Sequence, residues 1–218
     1  MVVVGYLEPQ IREFLDGCAG DLVVEYVRNP IYRTTNNMYS LWLAGKAIQE
    51  SFLLVESDLI FDAQLLEGLL VPDKIAISRV LPWMNGTTIT MDSSGYVKCF
   101  NDAPKSDEFS AGPSRADDMR YKTVNISSLS RSTWSVVLPR LKQAVDEGRV
   151  NVYYEVIFAE MVADGSLSLE CVLFDSNRWY EVDRLEDVVG AERMTRGTIA
   201  GRSRLSLPAL ASAAGVYI

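Results

Sequence analysis

The sequence predicts an α/β protein with a Rossmann-like, mainly parallel sheet flanked by helices, and three observations lead there. Short apolar runs alternate with amphipathic stretches over residues 2–70, the pattern of strands joined by helical crossovers. Phe52–Val55 is an uninterrupted apolar run, as expected of a strand covered on both faces. That run ends in Glu56, Ser57 and Asp58, at the edge where open α/β sheets place their ligands.

Taken in order, Val2–Val4 is a short strand ending at Gly5, and "EPQIREFLDG" is a helix that tolerates Pro9 in its first turn. Ile11, Phe14 and Leu15 share one of its faces. Residues 21–29 form a second strand and 30–35 a loop. Residues 36–50 form an amphipathic helix with Thr35 or Asn36 as N-cap. The strand at 52–55 precedes a helix near 63–70. Beyond Pro72 the texture changes: 74–81, 86–92 and 96–102 are strands divided by Asn-Gly and Ser-Gly turn signals, a small β-rich insertion. Residues 105–118 are a polar loop and 121–130 a strand. Helices follow at 131–147 and 152–165, strands at 169–175 and 178–183, and a helix at 184–194. Residues 1–194 make one domain. The tail, 195–218, has no acidic residue, carries Arg196, Arg202 and Arg204, and lacks a periodic apolar face; it reads as linker or disorder.

Composition narrows the chemistry. The net charge of −8, from 21 basic and 29 acidic residues, argues against nucleic acid as a partner. There is no histidine, which removes Ser-His-Asp and Cys-His catalysis and imidazole acid–base chemistry. Carboxylates, Lys, Arg, hydroxyls and a hard metal held by oxygen ligands remain. Cys18, Cys99 and Cys171 are dispersed and odd in number, so neither a disulfide framework nor a zinc site is expected. No apolar run nears the roughly 20 residues of a membrane span and no basic leader follows Met1, so a cytoplasmic location is expected.

Two strands end in an acid, Asp58 after "LLVES" and Asp183 after "WYEV". Each can cap the following helix or turn, and Asp183 in "VDRLED" suits a capping box. Each can equally hold a metal, because strand ends at one sheet edge converge on one cleft.

The order "GYLEPQIREFL", "NPIYRTTNNMYSLWLA", "FLLVESDLIF", "YKTVNI" and "WYEVDRLEDV" resembles the nucleotidyltransferase superfamily of glycosyltransferase-A type, the nucleotide-diphospho-sugar transferase fold, over residues 1–192. The nearest likeness is to phosphocholine cytidylyltransferases and the cytidylyltransferase modules of phosphonate biosynthesis. The resemblance implies CTP and Mg²⁺, cytidylyl transfer to a small phosphorylated or phosphonate alcohol or amine, and release of pyrophosphate. Carried over by position, Asp58 and Asp183 hold the metal. Asn36, Asn37 and Ser40 lie by the nucleotide, with Glu56 and Ser57 shaping the sheet edge beside it. Lys122 and Arg79 are candidates to hold the acceptor's phosphoryl group, and Trp83, Asn125, Tyr154 and Glu155 to hold the rest of the acceptor. A phosphoryl oxygen is already anionic near neutral pH and needs no general base, which suits a chain without histidine.

The family's opening strand and its G-x-G-x-R phosphate loop have no counterpart here; "VVVGY" aligns with the second strand. A truncated reading frame, a divergent protein and a segment of a larger enzyme each account for this, and impaired turnover is expected. A sugar-1-phosphate nucleotidyltransferase is the alternative within the superfamily, and a non-catalytic interaction module the alternative outside it.

Overall fold

A computed structural model describes residues 1–82, 84–101, 119–184, 186–192 and 215–217. The elements in chain order are β1 (Val2–Val4), α1 (Glu8–Cys18), β2 (Tyr26–Arg28), α2 (Asn37–Gly45), β3 (Phe52–Val55) and β4 (Leu59–Phe61). A 3-10 helix (Ala63–Leu69) follows, then β5 (Lys74–Arg79), β6 (Thr88–Met91), β7 (Val97–Asn101) and β8 (Arg120–Leu129). The chain continues through α3 (Arg131–Asp146), α4 (Tyr154–Ala163), β9 (Glu170–Phe174) and β10 (Trp179–Glu181), a helix at 187–192, and β11 (Gly215–Tyr217). The expected loop at 105–118 lies outside the described residues, as does most of the 195–218 tail.

The main sheet has seven strands along the path β11-β3-β8-β5-β9, with β6 on β8 and β7 on β6. β1 pairs with β2, β5 with β9 and β3 with β11 in parallel; β8 runs antiparallel to β3, β5 and β6, so the directions are mixed. β5 belongs to the centre of this sheet, buried between β8 and β9, so the β-rich insertion reduces to the β6–β7 hairpin. The helix expected at 63–70 is a 3-10 helix whose Leu66 and Leu69 pack under the sheet.

Both faces of the sheet are covered, which explains the unbroken run in β3. Phe52 and Leu54 face a core with α2, α3 and α4 (Met38, Leu41, Trp134, Leu141, Phe158). Leu53 and Val55 face the second core, with Leu69, Val124, Ile126 and Trp179. The period of two along a strand divides one sequence run between two layers. The apolar "LIF" after Asp58 is β4, which pairs antiparallel with β10 and brings Glu181 opposite Leu59.

β8 is the axis of the site. One of its edges carries β5; the other is shared by β6, opposite Arg120–Lys122, and β3, opposite Ile126–Leu129. Between the two lies Asn125, in the left-handed region at φ 59°. The β5–β8 register shifts there, with a step of four positions along β8 (Thr123 to Ser127) set against a step of two along β5 (Ile75 to Ile77). Such a bulge re-aims a side chain.

α2 crosses α3 at Gly45, where a Cβ would collide with the Trp134 ring and reach Leu138 Cδ1 at 2.8 Å. Gly45→Ala is expected to cost about 1–3 kcal/mol through overpacking, read as a lower urea midpoint by circular dichroism with an unchanged m-value.

Candidate functional site

Each of two strands delivers a Glu-x-Asp pair to the same edge. Glu56 and Asp58 follow β3, while Glu181 closes β10 and Asp183 lies just beyond it. The β4–β10 ladder, continued by Val182 N–H donating to Asp58 C=O at 2.8 Å, holds the two pairs side by side. One carboxylate oxygen from each of Glu56, Asp58 and Glu181 lies within 4.8 Å of the others. Asp183 is exposed beside them and close enough to Asp58 to disfavour its charge.

Amides and one lysine hold this cluster. Asn37 Nδ2 donates to Glu56 Oε1 at 2.9 Å, while Asn37 Oδ1 accepts from Tyr154 N–H at 2.9 Å. Asn125 Nδ2 donates to Glu56 Oε2 and Glu181 Oε1, both at 3.1 Å, and its Oδ1 accepts from Thr123 Oγ1 at 3.0 Å. Lys122, only 2% exposed, sets Nζ 3.2 Å from Glu181 Oε2 and donates to Thr123 C=O at 3.0 Å. Gly86, at φ 97°, leaves room for that ammonium: a Cβ there would come within 3.1 Å of Nζ.

Among the described residues negative charge remains in excess. Glu155, 8% exposed, keeps Oε2 buried without a partner among the described residues, and so does Asp58 with Oδ1. Burial, then Glu155 and Asp58, push Glu56 up to about 8. Burial raises Asp58 and Glu181 too, against the pull of Lys122, and lifts Glu155. Burial and the neighbouring Glu56 carry Tyr154 well above the ordinary phenol range. An orphaned carboxylate oxygen within a cluster of hard oxygen donors fits a divalent cation, which these carboxylates could hold.

Two cavities flank the cluster. The larger, about 770 Å³, is lined by Asn36, Asn37, Ser40, Glu56, Asp58 and Tyr154 at its polar end and by Val3, Ile11, Phe14 and Leu54 among its apolar walls. The smaller, about 220 Å³, is lined by Met84, Trp179, Tyr180, Glu181, Asp183 and Arg184, among others.

The structure therefore gathers Asn37, Glu56, Asp58, Lys122, Asn125, Tyr154, Glu155 and Asp183. Asn36 spends its side chain on the helix, accepting from Asn37 N–H at 2.8 Å, while Ser40 Oγ accepts from Asn29 at 3.2 Å; both still face the larger cavity. Ser57 is exposed at the tip of the turn and also lines the larger cavity. Arg79 stands apart: it is paired with Tyr121, one residue out of phase with Lys122, so alternation turns it to the other face of the sheet. Trp83 lies outside the described residues. The residue that sequence reasoning passed over is Glu181. Its signal was available, because Glu-x-Asp occurs at both strand ends and residues two apart share a face.

The fold is that of nucleotidyltransferases of the nucleotide-diphospho-sugar type. It superposes on a CTP:phosphocholine cytidylyltransferase from Streptococcus pneumoniae with a TM-score of 0.67 at 16% identity, over 89% of this chain and 78% of that one. An inositol-1-phosphate CTP transferase from T. maritima matches with 0.63 at 16% identity, over 93% and 77%. In sequence the chain is similar to CMP-5'-(3-aminopropyl)phosphonate synthase of Streptomyces rubellomurinus, 28% identical over 187 residues. That match takes in 84% of this chain but 29% of the relative, so the chain spans under a third of its length. No family model matches the chain.

The crowding has a pH signature. Glu56 binds its proton more tightly when folded, about 8 against an ordinary 4.5. The stability it contributes is full below about 4.5 and is lost as pH rises through about 8. Without divalent cations, thermal stability should fall over that window, and Glu56→Gln should flatten the fall. A melting temperature unchanged from pH 5 to 8.5 in the unsubstituted chain would contradict the assignment.

Proposed function

We propose that the chain is a CTP-dependent cytidylyltransferase acting on a small phosphonate or phosphate that carries an amine or alcohol. The observation that carries this reading is the position of the carboxylate cluster between two cavities. Glu56 and Asp58 face the larger, Glu181 and Asp183 the smaller. The larger is assigned to the nucleotide and the smaller to the acceptor. The name of the Streptomyces relative describes a CMP–aminopropylphosphonate product, which matches that assignment.

Glu56, Asp58, Glu181 and Asp183 are the proposed ligands of Mg²⁺, which would neutralise charge on the transferring phosphoryl group. Asn37 and Asn125 keep two of these carboxylates aimed at one point, and Lys122 holds Glu181 from behind. The acceptor's phosphoryl oxygen attacks the α-phosphorus; the bond to pyrophosphate breaks and pyrophosphate leaves. Neither step requires a proton to be taken from the acceptor, so positioning and charge compensation supply the catalysis. Glu155 is the proposed partner of an ammonium on the acceptor, because its unpartnered oxygen is the group that such a cation would satisfy, whereas Tyr154 lines the larger cavity and goes with the nucleotide in this assignment.

The triphosphate calls for cationic and backbone N–H donors of the kind a Gly-rich loop provides. No such motif occurs in the sequence. Turnover by this chain alone is therefore proposed to be slow, and a strand–loop–helix from a related enzyme, fused ahead of Met1, to raise it.

The test is pyrophosphate release from CTP and Mg²⁺ with 2-aminoethylphosphonate, 3-aminopropylphosphonate or phosphocholine, in the chain and in the fusion. Asp58→Ala is expected to lower the rate by about 10²–10³-fold, and Glu181→Gln to weaken Mn²⁺ binding measured by calorimetry. Equal release by Asp58→Ala, or Mn²⁺ affinity unchanged by both substitutions, would remove the metal-centred reading.

A further inference from the structure

We propose that a row of side chains crossing the sheet, Ser78, Lys122, Thr88 and Asn101, is the binding site for the phosphoryl head of the acceptor. This assignment deepens the reading of the smaller cavity as the acceptor's side and rests on it. The register sets the four residues abreast on adjacent strands. Ser78 of β5 pairs with Lys122 of β8, Lys122 with Thr88 of β6, and Thr88 with Asn101 of β7. Directly paired residues share a face of the sheet. Here it is the face of the second core, because Ala76 lies two positions from Ser78 and Val124 two from Lys122. Phe174 of β9, opposite Ser78, closes the row at its far end.

Polar groups inside a sheet are costly unless each finds a partner. In this row three do not. Ser78 Oγ, Thr88 Oγ1 and Asn101 Nδ2 are buried without a partner among the described residues, and they are half of the six such side-chain atoms. Of the other three, two belong to Asp58 and Glu155 of the carboxylate cluster and one to Trp179, which lines the smaller cavity. The unmet polar demand of the described residues is therefore gathered around one site, and the sheet row is its share that neither the metal nor the ammonium reading accounts for.

The donor set selects the ligand. An ammonium and an amide nitrogen can only donate, and a hydroxyl can donate. Lys122 donates to Thr123 C=O and faces Glu181 Oε2, which leaves the third N–H of its ammonium. Asn101 Oδ1 accepts from Cys99 Sγ at 3.6 Å, so its Nδ2 is the group left over. The complement is an anion with several acceptor oxygens; a cation would be repelled by Lys122. Neighbouring strands lie about 4.8 Å apart. A phosphoryl group over Lys122 is thus one spacing from both Ser78 and Thr88, a span that one of its oxygens and a hydrogen bond of about 2.7 Å cover. The turn at Met84–Gly86 covers the row. Met84 packs on the second core, Gly86 comes up to Lys122 Nζ, and Met84 and Asn85 also line the smaller cavity. One turn of chain separates cavity from row, and the acceptor reaches the donors by displacing it.

The experiment removes each unpartnered hydroxyl and reads binding and stability together. Binding of 2-aminoethylphosphonate to the full chain, with CMP and Mg²⁺ present, is followed by amide NMR in Ser78→Ala and Thr88→Val. The control is Ser128→Ala, whose hydroxyl does have a partner, donating to Val71 C=O at 3.2 Å. Ser78→Ala and Thr88→Val should each weaken phosphonate binding at least about tenfold, the loss of one hydrogen bond to a charged group. Their melting temperatures should stay level or rise, because no partner is left behind. Ser128→Ala should do the reverse, melting lower with its affinity unchanged. Methylphosphonate should compete with 2-aminoethylphosphonate, and ethanolamine should not. If Ser78→Ala and Thr88→Val melt lower and bind the phosphonate as before, the hydroxyls are structural and the proposal is overturned. It is overturned too if CMP binds while the phosphonate leaves the amides of the row unshifted, an outcome that spares the cytidylyl reading. Phosphonate shifts at the row in a chain that does not bind CMP would uphold the site and remove the cytidylyl reading instead.

Discussion

The rest of the site depends on one electrostatic constraint, the enclosure of several carboxylates around the buried ammonium of Lys122. Glu56, Asp58, Glu155 and Glu181 are each partly or largely shielded from water, and each resists ionisation for that reason first. Burying a charge without a partner is costly. The fold meets the cost with directed donors. Asn37 and Asn125 place three N–H···O contacts on Glu56 and Glu181, and Lys122 takes the remaining oxygen of Glu181. What they leave over, at Asp58 and Glu155, is unmet demand for positive charge.

The arrangement is built by backbone as much as by side chains. Asn125 reaches both Glu56 and Glu181 because β8 bulges at that point and the residue adopts a left-handed conformation, one that asparagine tolerates better than most residues. Strain of this kind persists where surrounding structure enforces it. Here β3, β5 and β6 grip β8 on both sides of the bulge. Asn37 works similarly, tying the start of α2 to β3 through its amide nitrogen and to the start of α4 through its oxygen.

Lys122 shows how a charged residue can be structural and chemical together. Its ammonium is almost wholly enclosed, yet it touches the acidic cluster at Glu181. Removing one partner of a buried pair is strongly destabilising, because the other is left uncompensated. Lys122 and Glu181 are therefore bound to each other by the physics of burial, and any ligand of Glu181 shares that carboxylate with Lys122.

Much of this was legible in the chain. Alternating apolar runs and helical faces determined an α/β layering, the doubly covered β3 followed from four consecutive apolar residues, and the two strand-end aspartates stood out by position. The absence of histidine, with cysteines too dispersed for a zinc site, left carboxylates, hydroxyls, lysine and arginine for the chemistry. Tertiary structure decided the rest. Glu181 joined Glu56 and Asp58 only through the β4–β10 pairing, which links residues more than a hundred positions apart. Asn125 became a bridge only through a bulge that local propensity does not encode, and Arg79 left the site through a one-residue phase relation with Lys122. The sheet directions, and the addition of Gly215–Tyr217 to β3, depend on which edges remain open once the other strands have paired. Local pattern determines what each segment is, whereas the meeting of distant carboxylates, amides and strand edges is a property of packing and register.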